Sequence, residues 1–195
     1  MKYTVAELAE TFAELLRELG SALDGEGVEW MLVGGLAVGA WTEPRGTKDC
    51  DLAIAVPEDA ASLAAALTDA GLVVVRGDLE RAQKGAAVRL HYERPGVPAL
   101  AVDLLCAGTP FEHEALARRT RLAVFGVSLP VVQADDLIIY KLIAGRPQDL
   151  ADIDKLLRFG RAPADDDRMR RWAQAWSVEE RLDSAIAAAR RATSE

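Results

Sequence analysis

The sequence holds two cysteines and two histidines, and they do not cluster. Cys50 and Cys106 form no Cys-x-x-Cys pair, and His91 and His113 have no partner at ligand spacing, so a conventional zinc site is not expected. Both thiols lie in apolar runs and read as small buried side chains. No apolar run approaches the ~18 residues that a membrane-spanning helix needs. The first residues are acidic and amphipathic and lack the basic-then-apolar order of a signal peptide. These absences lead to an expectation of a cytoplasmic protein with no membrane partner. Excess positive charge is missing too. A formal net charge of -8 removes the broad basic footprint that nonspecific nucleic-acid binding requires. A local cationic pocket is still compatible with it, because a triphosphate needs only a few well-placed cations.

What is present is enough apolar material for a core. The chain has 195 residues, half of them hydrophobic, and no low-complexity stretch. The expected organisation is one domain over 1–160, with a helical extension over 161–195 packed on it. Val5, Leu8, Phe12, Leu15, Leu16, Leu19 and Leu23 recur at helical spacing and predict an amphipathic helix over 4–23. Trp30 to Val33 reads as a short buried strand running into Gly34-Gly35, after which a helical stretch reaches Trp41. Asp49 to Val56 alternates as a strand does, with a carboxylate-bearing edge. Pro57-Glu58-Asp59 opens an alanine-rich helix that ends at Gly71. Further strands are expected over Leu72–Val75, Ala87–Tyr92 and Ala99–Leu105, and a strand pair over Leu122–Leu129. Beyond Gln133 the pattern is helical: one helix through Ile143, another from Leu150 to Phe159, and one or two over 165–192. The fold class is α+β, a small mixed sheet flanked by helices.

Three features carry chemistry. Asp49 and Asp51 lie two apart on a strand, so they share a face at roughly 7 Å. Such a pair suits a hard cation such as Mg²⁺, and alone it reads equally as a solvated strand edge. Gly34-Gly35 lies at a strand-to-helix junction, where backbone N–H groups can approach an anion, or where a tight turn simply needs no side chain. Asp103 sits in the apolar run Ala101-Val102-Asp103-Leu104-Leu105 and calls for a partner if buried.

Taken together, Val33-Gly34-Gly35, Arg45-Gly46-Thr47-Lys48-Asp49-Cys50-Asp51-Leu52 and Val102-Asp103-Leu104 resemble the DNA polymerase beta-type nucleotidyltransferase superfamily. The likeness is to small stand-alone bacterial members, including those related to abortive-infection toxins. The run Lys141 to Ile153 is similar to the Lys-x-x-x-x-Arg-x-x-Asp-x-x-Asp segment of such proteins. The resemblance covers about residues 28–158. It implies a nucleotidyltransferase fold and transfer of a nucleoside monophosphate from a nucleoside triphosphate to an acceptor hydroxyl. It implies Asp49, Asp51 and Asp103 as catalytic residues holding Mg²⁺, with Mn²⁺ as a substitute, and Gly34, Gly35, Arg45, Thr47 and Lys141 as the nucleotide-binding set. The acceptor is left open among a small molecule, a protein and a tRNA, and an antitoxin protein is an expected partner. Arg146, Asp149 and Asp152 read as an ion-pair network joining two helices. Arg168, Arg170, Arg171 and Arg181 read as a solvated helix face, and the four tryptophans as packing residues. The alternative is a silent nucleotide-binding or interaction module with the same fold. A complete Asp triad weighs against it.

Overall fold

The computed structural model of the protein describes residues 3–44, 46–160 and 167–193. Arg45, expected in the nucleotide-binding set, lies outside the described residues. In chain order the elements are α1 (Val5–Gly25), β1 (Trp30–Val33), α2 (Gly34–Trp41), β2 (Asp49–Ile54), α3 (Ala60–Asp69), β3 (Leu72–Val73), α4 (Asp78–Gln83), β4 (Val88–Tyr92) and β5 (Leu100–Cys106). There follow α5 (Pro110–Arg118), β6 (Thr120–Val124), β7 (Val127–Val131), α6 (Ala134–Ala144), α7 (Pro147–Phe159), α8 (Asp167–Ala175) and α9 (Glu179–Thr193).

The strands form one mixed sheet of order β3-β4-β5-β2-β1-β7-β6. β2 runs parallel to β5 and antiparallel to β1, while β1 runs parallel to β7. The carboxylate-bearing strands are the middle of the sheet, because β5 crosses back to lie beside β2. Short-range sequence order does not reveal such a crossover.

Local chemistry explains most element ends. Thr4 and Glu7 form a capping box at the start of α1, with the Thr4 N–H donating to Glu7 Oε2 at 2.6 Å. The same device, Thr109 with Glu112 and Pro110 in the first turn, starts α5. β3 is shorter than expected because the Val75 N–H donates to the Asp78 side chain at 2.7 Å, drawing the chain into a turn. The apolar stripe of α1 (Phe12, Leu15, Leu16, Leu19 and Leu23) is fully buried in a continuous core with β1, β2, β5 and α6.

The C-terminal helices join that same core through Met169, Ala173, Leu182 and Ile186. The expected solvated arginine face is only partly so. Arg168 is largely buried: its Nε donates to Glu114 Oε1 at 2.6 Å and its Nη1 pairs with Asp136. Asp135 and Asp136, both buried at the start of α6, also accept from Arg118 at 2.9 Å each. Arg181 Nη1 donates to the Leu142 carbonyl at 3.0 Å, satisfying an open helix end. In sequence Arg168 and Arg171 look solvated because their partners lie 32 to 57 residues away. Replacing Arg168 with alanine leaves Asp136 and Glu114 short of a cation. The expected result is a loss of about 3 kcal/mol, read as a lower urea midpoint with an unchanged slope.

Candidate active site

β1 runs without a break into α2, and the junction is Gly34, whose φ is +64°. Val33 stands opposite Asp51 in the β1–β2 register. A Cβ on Gly34 would lie 1.9 Å from Asp51 Oδ2, so the absence of a side chain at Gly34 is what lets the carboxylate fit there. The Gly35 backbone N–H hydrogen-bonds to that carboxylate. The glycine turn and the Asp-x-Asp strand, read separately in the sequence, are one contact.

On the other side of β2, Asp51 stands opposite Asp103 and Asp49 opposite Ala101 in the parallel β2–β5 register. Asp49, Asp51 and Asp103 therefore share one face of two adjacent central strands. Asp51 shows the electrostatic result. Burial, then repulsion from Asp103, holds its carboxyl above the usual carboxylate range; the Gly35 N–H, with Lys141, pulls it down, and Asp49 pushes it up.

These residues border a cleft of about 790 Å³ between the sheet face and the α6–α7 turn. Gly34, Gly35, Thr47, Asp49, Asp51, Asp103 and Lys141 all line it. Thr47 Oγ1 donates to the Asp49 backbone carbonyl at 3.3 Å, a long bond. Lys48 is exposed.

Lys141 reaches the cleft, but not as a free cation. It is buried, with Nζ 2.7 Å from Asp152 Oδ2 and 3.1 Å from Asp149 Oδ1. Arg146 Nε lies 2.7 Å from Asp149 Oδ2 on the exposed side. The ion-pair network that the sequence suggested for Arg146, Asp149 and Asp152 is present, and it includes Lys141. It ties the end of α6 to the start of α7. Asp149 is held below the usual carboxylate range: hydrogen bonds from Arg146 and Lys141 outweigh burial, the largest single influence and an opposing one.

One residue of the site is missing from the sequence reading. Arg89 on β4 stands opposite Asp103 and grips it with both ends of its guanidinium, Nε to Oδ1 at 2.7 Å and Nη2 to Oδ2 at 2.6 Å. Its Nη2 is also 3.8 Å from Asp49 Oδ2. The available signal was the alternation of β4, where buried Val88, Leu90 and Tyr92 push Arg89 and His91 to the other face. That alternation leaves the partner on β5 undetermined. Among the described residues no three acidic, histidine or cysteine side chains are drawn together closely enough to hold an ion as they stand. The donor set itself, three hard oxygen donors with their charge only partly balanced, fits Mg²⁺ and not a soft metal.

The fold agrees with that of a solved nucleotidyltransferase-like protein. An antigenic nucleotidyltransferase-like protein from Paracoccidioides brasiliensis is similar at 18% identity and a TM-score of 0.54, with 94% of each chain covered. The antibiotic-resistance factor ANT(2″)-Ia is a weaker match, at 15% identity and a TM-score of 0.44 over 95% of this chain and 94% of that one. No curated protein matches in sequence. No helix among the described residues is long and apolar enough to cross a membrane. A family described as nucleotidyl transferase AbiEii toxin, Type IV TA system, matches residues 14–192, a span that takes in the whole sheet and the cleft. This chain therefore belongs to the AbiEii family of nucleotidyltransferase toxins.

Proposed function

We propose that the chain transfers a nucleoside monophosphate from a nucleoside triphosphate to an acceptor hydroxyl, releasing pyrophosphate, at the cleft between β2, β5 and α6. The observation that carries this reading is the register of Asp51 beside Asp103, with Asp51 seated against the bare Cα of Gly34. Asp49, Asp51 and Asp103 would hold Mg²⁺, or Mn²⁺ in its place. When bound, the ion supplies charge neutralisation for the attacking and leaving oxygens of an in-line displacement. The chain's own part is positioning. Gly34 and Gly35 line the cleft at the start of α2, so the helix N-terminus would favour phosphates there, with the Gly35 N–H itself given to Asp51. Asp103, once freed from Arg89, would take the acceptor's proton. Thr47 and Lys141 border the phosphate path, with Lys141 held by Asp149 and Asp152. Leu105, Leu137, Ile143 and Ala144 give the cleft an apolar wall against which a base can lie.

The silent-module reading draws on the Arg89–Asp103 and Lys141–Asp152 pairs, which occupy groups that catalysis needs. One experiment separates the two. The full chain is incubated with each α-labelled nucleoside triphosphate, Mg²⁺ and a cell extract, and acceptors are identified by added mass. Label fixed to a protein, tRNA or small molecule names nucleotide and acceptor together. Saturable nucleotide binding with no label fixed would replace transferase by module. The toxin family to which the chain belongs suggests an antitoxin protein as partner and growth arrest when the chain is induced alone.

A further inference from the structure

We infer that Arg89 is an exchange cation. In the free protein it holds Asp103. When ion and triphosphate bind, Asp103 is released toward the ion and Arg89 turns to the phosphates. This rests on the reading of the cleft given above.

Three observations support it. Both oxygens of Asp103 are taken by the Arg89 fork, at 2.7 and 2.6 Å, so Asp103 cannot serve an ion fully while Arg89 keeps it. Arg89 lines the same cleft as the glycine turn, and its side chain is 55% exposed, so it is free to swing. Only the Arg89 end of the pair is well exposed; Asp103 is 20% exposed and gripped bidentately, so its release has to be compensated by ion and phosphate together. The other cations bordering the cleft have different partners: Lys141 and Arg146 are tied to Asp149 and Asp152 on the helices, not to the strand face. Among the described residues bordering the cleft, Arg89 is the cation that grips a carboxylate of the triad. Guanidinium matches phosphate with the same planar fork that it offers a carboxylate.

The exchange has a thermodynamic consequence. Releasing Asp103 frees a cation, and engaging that cation with phosphate frees Asp103. Ion and nucleotide each raise the affinity of the other by the same factor, beyond any direct contact between them. The free protein is then a poor ion site by construction, and Arg89 is a positioning residue that makes ion binding conditional on nucleotide.

The test uses the full-length chain and Mn²⁺ as the probe. Free Mn²⁺ is read by electron paramagnetic resonance with no nucleotide present. A non-hydrolysable triphosphate analogue is titrated separately with Mn²⁺ present. For Arg89→Gln, Mn²⁺ alone should bind about tenfold tighter than in the native chain, and the analogue about tenfold more weakly. A purely structural role would move both affinities the same way and lower the melting temperature. Arg89→Lys keeps the charge without the fork, so it should bind Mn²⁺ tighter than the native chain and the analogue with an affinity between those of the native chain and Arg89→Gln. If Arg89→Gln binds Mn²⁺ no tighter than the native chain, Arg89 does not withhold Asp103 and the inference is overturned. If the analogue binds Arg89→Gln as well as native, the exchange is overturned as well. Asp51→Asn is run in parallel. If it binds Mn²⁺ as the native chain does, the reading of the cleft fails, whatever Arg89 does.

Discussion

Replacing Asp51 with asparagine is expected to reduce nucleotide transfer on the order of 10³-fold or more while making the fold more stable at neutral pH. The two effects have one cause. Asp51 sits half-buried beside Asp103 and Asp49, and its carboxyl is held above the usual range by burial and by that repulsion. A raised folded-state value means that the folded protein binds this proton more tightly than the unfolded chain does. The associated stability is fully present below the unfolded value, about 4, and is lost as pH rises through the folded one. Near neutrality the ionised group therefore costs stability. Asparagine keeps an oxygen for the Gly35 N–H and carries no charge to repel Asp103. In metal-free buffer the variant should melt several degrees above the native chain at pH 7, with the difference closing in acid. Transfer is read by pyrophosphate release. A variant that turns over normally, or melts lower than the native chain at pH 7, would remove Asp51 from the proposed role.

The second large effect is at Gly34. Alanine there meets two obstacles at once. Its φ of +64° is a left-handed conformation that costs an L-residue about 1–2 kcal/mol. Its Cβ would stand 1.9 Å from Asp51 Oδ2 and 2.5 Å from Asp51 Cγ. Asp51 Cβ would be only 2.7 Å away as well, so turning the carboxylate aside is not enough and the β1–β2 register has to give at this point. A displacement of about 1 Å at a positioned group is enough to cost roughly a hundredfold in rate. Gly34→Ala should therefore lose transfer by at least that factor while remaining folded, with a lowered melting temperature. The double variant Gly34→Ala with Asp51→Gly tests the contact: it should recover stability and no activity. If Gly34→Ala alone transfers normally, the glycine is not there to make room for Asp51.

Much of this site was legible before any coordinates. The Asp49/Asp51 alternation, the glycines after a buried strand and the lone acid of an apolar run each point to a partner. Their convergence needs only that β5 lie beside β2. That adjacency was not legible, because it is set by a crossover through β3, β4 and the helices between them. Arg89 was lost for the same reason: strand period tells which face a residue takes, not which residue stands opposite. α4 is six residues long, too short to show a helical period, and was not foreseen. α5 was also missed, although Thr109-Pro110 with Glu112 is a readable start signal. Arg168 looked like a solvated residue because charge in a helix sequence carries no trace of distant carboxylates.

The placement of β2 and β5 in the middle of the sheet divides the cleft into two parts with different freedom. The floor, carrying Asp49, Asp51 and Asp103, is hydrogen-bonded to neighbours on both sides and is among the last regions expected to open. The rim, carrying Ala87, Arg146 and Gln148, is built from turns and helix ends. A change of acceptor has to be written on the rim, where substitutions are tolerated, because any adjustment of the floor is transmitted through the sheet to the apolar core. Redirecting this scaffold to a new target is therefore a problem of edges and openings, and its chemistry travels with the foundation unchanged.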